Sequence, residues 1–223
     1  EMCKQFNNDS MKIAQELDVS FMGSADNVVA PEYIEMQEKL NTREPLADYA
    51  DPLVEETWFW KKPIEGHRYI LACDPSRGVS ADRTAIEIID MDGRDENGLP
   101  IIEQVAEYVG KKLGDDIGAL CVQYATLYND AFVVVDCTGG QGDAAILTML
   151  QLGYKNLYYE DSNQKMYTVQ RPTKSYDGYT DKLPGFHFQG NRYPVLANFA
   201  GLVRNNEFKI RSARVINELE TWI

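Results

Sequence analysis

Two aspartates close strongly apolar runs in this chain, Asp74 in ILACDPS and Asp136 in FVVVDCTGG. A carboxylate at the end of a buried strand, with a tight Gly-containing loop behind it, can hold a hard cation through oxygen. If the two strands are sheet neighbours, both side chains leave the same sheet edge, where α/β folds place their ligands. Two or three such carboxylates hold a pair of Mg²⁺ ions about 3.5–4 Å apart, one activating water and the other steadying a leaving oxygen. That chemistry needs no histidine base, and the chain has only His67 and His187. An aspartate after a strand is also an ordinary turn former or helix cap. For either residue alone that reading is the better one; for the two together, the metal is favoured.

Asp82 lies eight residues beyond Asp74, at the start of the next apolar run. It either reaches back to the same cation or caps the loop, two readings of equal weight. Arg77 in PSRG contacts a phosphate or pairs with Asp74 or Asp82, and the ion pair is at least as good a reading.

These residues need a sheet to align them. Tyr69–Cys73, Thr84–Ile89 and Ile101–Val109 read as three strands, with turn signals at Asp92-Gly93 and Asn97-Gly98, and predict an antiparallel meander. Trp58–Trp60 reads as an edge strand or lead-in. Ala131–Val135 is a β-branched run suited to a strand buried on both faces, and Asn156–Tyr159 supplies a fifth. Between them, a helix over Ile117–Tyr128 is expected to be capped by Asp115 or Asp116. Another over Ala144–Leu152 is expected to be capped by Asp143 and stopped by Gly153. Pro194 opens a helix with Leu196, Phe199 and Val203 on one face, ended by Asn205-Asn206. Glu207–Ile210 is a short strand, and Ser212 caps a last helix. Ahead of all this, Met11–Leu17 and Pro31–Leu40 read as short helices leading to a polar linker. The order predicts an α/β three-layer domain with a mixed central sheet over residues 51–223, preceded by a helical and linker segment over 1–50.

Composition sets the outer bounds. With 223 residues, 44% hydrophobic and 26% charged, the chain is globular rather than disordered. No apolar run approaches the ~20 residues that span a bilayer. Cys3, Cys73, Cys121 and Cys137 are scattered without a CxxC pair, which argues against a zinc site or disulfide framework and for buried reduced thiols. The net charge of −13 speaks against a nucleic-acid binder, although a local basic strip can still meet a phosphate backbone. The best such strip is Gln164–Arg192, with Lys165, Arg171, Lys174, Lys182 and Arg192 against Asp177 and Asp181, although a solvated loop is the usual fate of such a run. Arg192 is the preferred member, because a helix start also offers backbone N–H groups to phosphate. Arg204, Lys209, Arg211 and Arg214 form a weaker second patch.

The runs EGHRYILACDPSRGVSADRTAIEIIDM, FVVVDCTGGQGDAAILTMLQLGY and NRYPVLANFAGLVRNNEFKIRSARVINELETWI resemble the nuclease domain of tailed-phage terminase large subunits. AQELDVSFMGSADNVVAPEYI resembles the segment that joins ATPase to nuclease in those motors, so the resemblance covers roughly Ala14 to Ile223. It implies an RNase H-like fold and a metal-dependent endonuclease that hydrolyses double-stranded concatemeric DNA during packaging, using Mg²⁺ or Mn²⁺ in a two-metal site. By position, Asp74 and Asp136 match the family's metal ligands on the first and fourth strands, and Asp82 an additional acidic residue. Arg77, Lys174 and Arg192 are the expected DNA contacts. The implied partners are double-stranded DNA, the ATPase domain of the same chain, the portal and the small terminase subunit; the implied setting is the host cytoplasm, with no membrane. One departure matters. The family's third carboxylate lies in a His-Asp-Asp-like motif after the last helix, and this chain has none, so a fragment with an incomplete metal site is expected. It also lacks G-x-x-x-x-G-K-[ST] and is not expected to hydrolyse ATP. The competing readings are a junction resolvase or transposase-type nuclease, an actin- or sugar-kinase-like nucleotide binder, and a catalytically silent docking domain.

Overall fold

The computed structural model describes residues 28–46, 56–76, 82–161, 182–187 and 192–221. Their order is α1 (Pro31–Leu40), β1 (Thr57–Phe59), β2 (Tyr69–Asp74), β3 (Thr84–Arg94), β4 (Pro100–Gly110), α2 (Gly114–Leu127), β5 (Phe132–Val135), α3 (Gly142–Gln151), β6 (Tyr159–Asp161), β7 (Lys182–Pro184), α4 (Arg192–Arg204), β8 (Phe208–Lys209) and α5 (Ala213–Thr221). By contacts the chain divides into two compact units, residues 43–192 and the stretches before Arg43 and after Arg192.

In the larger unit five strands run in the order β1-β4-β3-β2-β5. The meander β2-β3-β4 is antiparallel as expected, and β5 adds to β2 in parallel, which makes the sheet mixed. Alternation along the strands sorts the side chains. Leu71, Cys73, Ile86, Ile88 and Tyr108 point to a buried face, where α2 contributes Ile117, Cys121 and Tyr124 and α3 contributes Ala145 and Met149. Full burial of a Leu or Ile side chain is worth about 1.5–3 kcal/mol, so this face holds the sheet against its helices. Thr57 on β1 and Tyr124 on α2 share a buried hydroxyl–hydroxyl bond of 2.6 Å, fixing the edge strand to the helix. Gly153, at φ +80°, ends the α3 segment in the left-handed conformation that glycine tolerates best.

Three local expectations change. Asp115 and Asp116 do not cap α2, which begins at Gly114 after Leu113 with no side-chain cap; they fall in its first turn, where the positive end of the helix favours acids. Asp143 stands likewise in the first turn of α3. β5 is not buried on both faces: Val133 and Val135 are buried, Phe132 and Val134 only half-buried. The Ser212 cap is as expected, its Oγ accepting the amides of Arg214 at 3.1 Å and Val215 at 3.4 Å. α4 starts two residues before Pro194, which a first-turn proline permits because its missing N–H has no helical partner to lose. The expected helix over Met11–Leu17 lies outside the described residues.

The second unit has its own core of Val29, Ile34, Val203, Ile210, Ile216 and Leu219. At its centre Gln37 is fully buried, and its side chain bonds the carbonyl of Phe208 at 2.9 Å, that of Val203 at 3.3 Å and the amide of Ile210 at 3.2 Å. Asn41 completes the set by donating to Gln37 Oε1 and Asn206 Oδ1, both at 2.7 Å.

Candidate active site

The parallel register of β2 and β5 runs from Ile70 opposite Phe132 to Cys73 opposite Val135. One residue further, the Asp136 amide donates to the Cys73 carbonyl at 2.8 Å. Asp74 and Asp136 are therefore the next pair in register, on strands that lie about 4.8 Å apart. Partners in register share a face, and this one carries Ala72 and Val134, opposite the helix-covered face of Cys73 and Val135. Asp74 is exposed and Asp136 half-buried. Asp136 Oδ1 accepts the Thr138 amide at 2.7 Å. One oxygen thus forms the turn, and the other makes no hydrogen bond among the described residues.

Backbone packing beneath Asp136 is tight. A Cβ placed on Gly142 would stand 2.4 Å from the Asp136 carbonyl oxygen and 2.7 Å from Cys137 Sγ, so the turn from β5 into α3 closes only around glycine. Each carboxylate has a buried thiol beside it in sequence, Cys73 and Cys137. Burial, then the nearby Asp143 and Asp136 carboxylates, push the Cys137 thiol up to about 12. A hydrogen bond with Cys121, then burial, raise Cys73 well above the ordinary thiol range. Both stay protonated near neutrality and add no charge to the carboxylate pair.

On the β3 side, the Ser76 amide donates to Thr84 Oγ1 at 2.9 Å, and the Thr84 hydroxyl approaches Ser76 Oγ at 3.3 Å. Thr84 is fully buried, so it pins the exit of β2 to the entry of β3. Asp82 is exposed at this same sheet end, three residues ahead of Ala85, the register partner of Asp74. On the far side of β5, Phe186 stands in register with Asp136; its amide donates to Val135 and its carbonyl accepts from Cys137, both at 2.8 Å. His187 follows, its Nδ1 2.8 Å from Glu160 Oε2 and its amide 3.2 Å from the same oxygen. Sequence reasoning set both histidines aside. The two residues are 27 apart, and no local pattern announces their pairing.

The structure thus brings Asp74 and Asp136 together with Asp82 at one sheet end. Arg192 is exposed in the first turn of α4. Arg77 and Lys174 lie outside the described residues. Among the described residues no group of three or more His, Cys, Asp and Glu side chains stands close enough to hold a metal ion. The donor chemistry of the carboxylate pair nevertheless suits a hard cation, since Mg²⁺ is commonly held by one or two carboxylates plus substrate phosphate.

No protein-family profile matches the sequence, and no curated protein is significantly similar to it in sequence. Solved structures are. The large terminase nuclease of thermophilic phage G20c with bound magnesium is 16% identical with a TM-score of 0.56, over 87% of this chain and 80% of that one. The zinc-bound form of the same nuclease is 12% identical with a TM-score of 0.56, over 86% and 88%. The large terminase nuclease domain of Thermus phage P74-26 is 13% identical with a TM-score of 0.52, over 83% and 76%. At these identities the likeness is one of fold. The chain has the RNase H-like α/β fold of large-terminase nuclease domains, built on a mixed central sheet.

Proposed function

We propose that the protein is a metal-dependent endonuclease of a viral DNA-packaging terminase, hydrolysing phosphodiester bonds of double-stranded DNA. The observation that carries this reading is the in-register pair Asp74 and Asp136 at the end of two parallel strands. Asp74 and the second oxygen of Asp136 would hold Mg²⁺ or Mn²⁺. Two such ions, when bound, supply activation of water and stabilisation of charge at the phosphate. The chain's own residues do the rest. Thr138 orients the Asp136 carboxylate, the Ser76–Thr84 bonds hold the loop behind Asp74, and the protonated Cys73 and Cys137 leave the local charge to the carboxylates. Asp82 assists as an auxiliary carboxylate, and Arg77, Lys174 and Arg192 contact the DNA. Residues 1–50 connect this nuclease, residues 51–223, to an ATPase domain, and the portal and small terminase subunit are its partners in the host cytoplasm. Magnesium- and zinc-bound forms of the structural neighbours support a divalent ion at this fold.

The test is cutting of supercoiled plasmid by the full-length protein with Mn²⁺ or Mg²⁺. Asp74→Ala and Asp136→Ala should each abolish it. Undiminished cutting by either variant would overturn the ligand assignment, and ATP turnover without cutting would favour a kinase-like nucleotide binder instead.

A further inference from the structure

β5 has a second neighbour at the end that carries Asp136. Phe186 bonds Val135 and Cys137 on one side, and Gly185, just before it, donates to the Tyr158 carbonyl at 2.9 Å on the other. Residues 185–186 therefore run between β5 and the chain that leads through Tyr158 into β6. Glu160 belongs to β6 and stands on the flank away from β5. His187 follows Phe186, the register partner of Asp136. Its backbone lies one strand spacing across and one residue along from Asp136, about 6 Å away. Glu160 holds its ring. One carboxylate oxygen, Oε2, accepts the His187 amide at 3.2 Å and lies 2.8 Å from Nδ1. The amide can only donate, so this oxygen is an acceptor, and Nδ1 carries the hydrogen between ring and carboxylate. A neutral imidazole with its proton on Nδ1 has a bare lone pair on Nε2. The two nitrogens occupy divergent edges of the ring, so Nε2 is turned away from Glu160. The His187 side chain is 38% exposed and that of Glu160 20%, so water reaches the ring while its carboxylate is largely covered. An imidazole fixed in this tautomer by a carboxylate is suited to accept a proton, and the carboxylate steadies the imidazolium that forms.

We propose that His187 is a proton acceptor for phosphodiester hydrolysis beside the carboxylate pair, with Glu160 as its positioning residue. The proposal rests on the nuclease reading for its substrate. The oxygen of a water bonds to phosphorus as one of its protons passes to Nε2. The bond from phosphorus to the leaving nucleotide oxygen breaks, and that oxygen takes a proton from solvent. The imidazolium then releases its proton to solvent, which restores the neutral ring.

Two measurements test this. Long-range ¹H–¹⁵N NMR of the metal-free protein, at a pH where the ring is neutral, should find the His187 proton on Nδ1, and Glu160→Ala should move it to Nε2. A proton on Nε2 in the wild type would overturn the assignment. In single-turnover cutting of supercoiled plasmid by the full-length protein with Mn²⁺, His187→Ala should lose about 10²-fold in rate. Its affinity for a DNA duplex in EDTA should stay that of the wild type, and imidazole in the buffer should restore part of the lost rate. A wild-type rate in His187→Ala, or a loss that imidazole leaves untouched, would overturn the proposal. Failure of the wild type to cut would overturn it together with the nuclease reading. If Asp74→Ala cuts as the wild type does while His187→Ala is slow and answers to imidazole, the metal ligands are wrong and the role of His187 stands.

Discussion

The amide of Asp136 donates to the carbonyl of Cys73 at 2.8 Å, and this bond continues the β2–β5 ladder one step past the last paired residues. It holds the two strand ends in register at the point where their acidic side chains emerge. Two like charges side by side repel in the absence of a cation. The backbone ladder and the Thr138 bond to Asp136 keep them together before any ligand arrives.

Replacing either carboxylate by its amide isostere should separate binding from folding. Asp136→Asn retains an acceptor for the Thr138 amide, and Asp74→Asn alters an exposed side chain. Each is expected to lower Mn²⁺ affinity at least tenfold by calorimetry and plasmid cutting by about 10² or more, with thermal unfolding moved by no more than about 2 °C. A large fall in stability with either variant would assign the aspartates a structural role.

Gly142→Ala should be costly although the change is one methyl. The added Cβ meets the Asp136 carbonyl oxygen and Cys137 Sγ, both inside contact distance. Overpacking of this kind costs about 1–3 kcal/mol, readable as a lower urea midpoint. Relief of the clash displaces Asp136, so cation affinity should fall in parallel. Unchanged midpoint and affinity would show that the turn has room.

The buried thiols give a pH signature. Cys137 is held at about 12 in the fold, against about 8.5 for an unfolded thiol. Its folded value is raised, so its contribution to stability is complete below about pH 8.5 and is lost progressively as pH rises towards 12. Urea midpoints should decline from pH 8 to pH 10, and the decline should be smaller in Cys137→Ala. Site-resolved alkylation at pH 8 should label Cys73, Cys121 and Cys137 only on unfolding, because all three are buried.

Gln37→Leu probes the second unit. The substitution keeps volume but strands the Phe208 carbonyl and the Ile210 amide without their Gln37 partner, whereas the Val203 carbonyl keeps the Asn206 amide at 3.0 Å. Loss of about 2–4 kcal/mol is expected from unsatisfied buried groups, measured by urea unfolding. A change below about 0.5 kcal/mol would mean that these groups find other partners.

How much of this was legible in the residues differs from element to element. The β2-β3-β4 meander was readable because the β3–β4 turn carries Asn97-Gly98 and because Ile86 and Ile88 alternate with Ala85 and Glu87; Asp92-Gly93, read as a turn signal, falls inside β3 at a register shift. The adjacency of Asp74 and Asp136 could be posed only as a condition, since neither apolar run names its neighbour; the parallel pairing met it. Helix starts were misplaced by two or three residues because an acid in the first turn and an acid at the cap look alike in a string of letters. The Glu160–His187 contact depends on pairing between distant segments, and it is visible only in the folded chain.

The bonds made by Gln37 also bear on the order in which the chain acquires its structure. Residues 43–192 form a compact unit from one continuous stretch. α1 precedes that stretch, yet Gln37 finds its acceptor at Val203 only after a separation of 166 residues. Closing so long a loop costs conformational entropy that its local contacts do not return until the later strand and helix are present. During synthesis residues 43–192 are therefore all made before the partners of α1 in α4 and α5 appear. α1, made before the sheet, is among the last elements to dock.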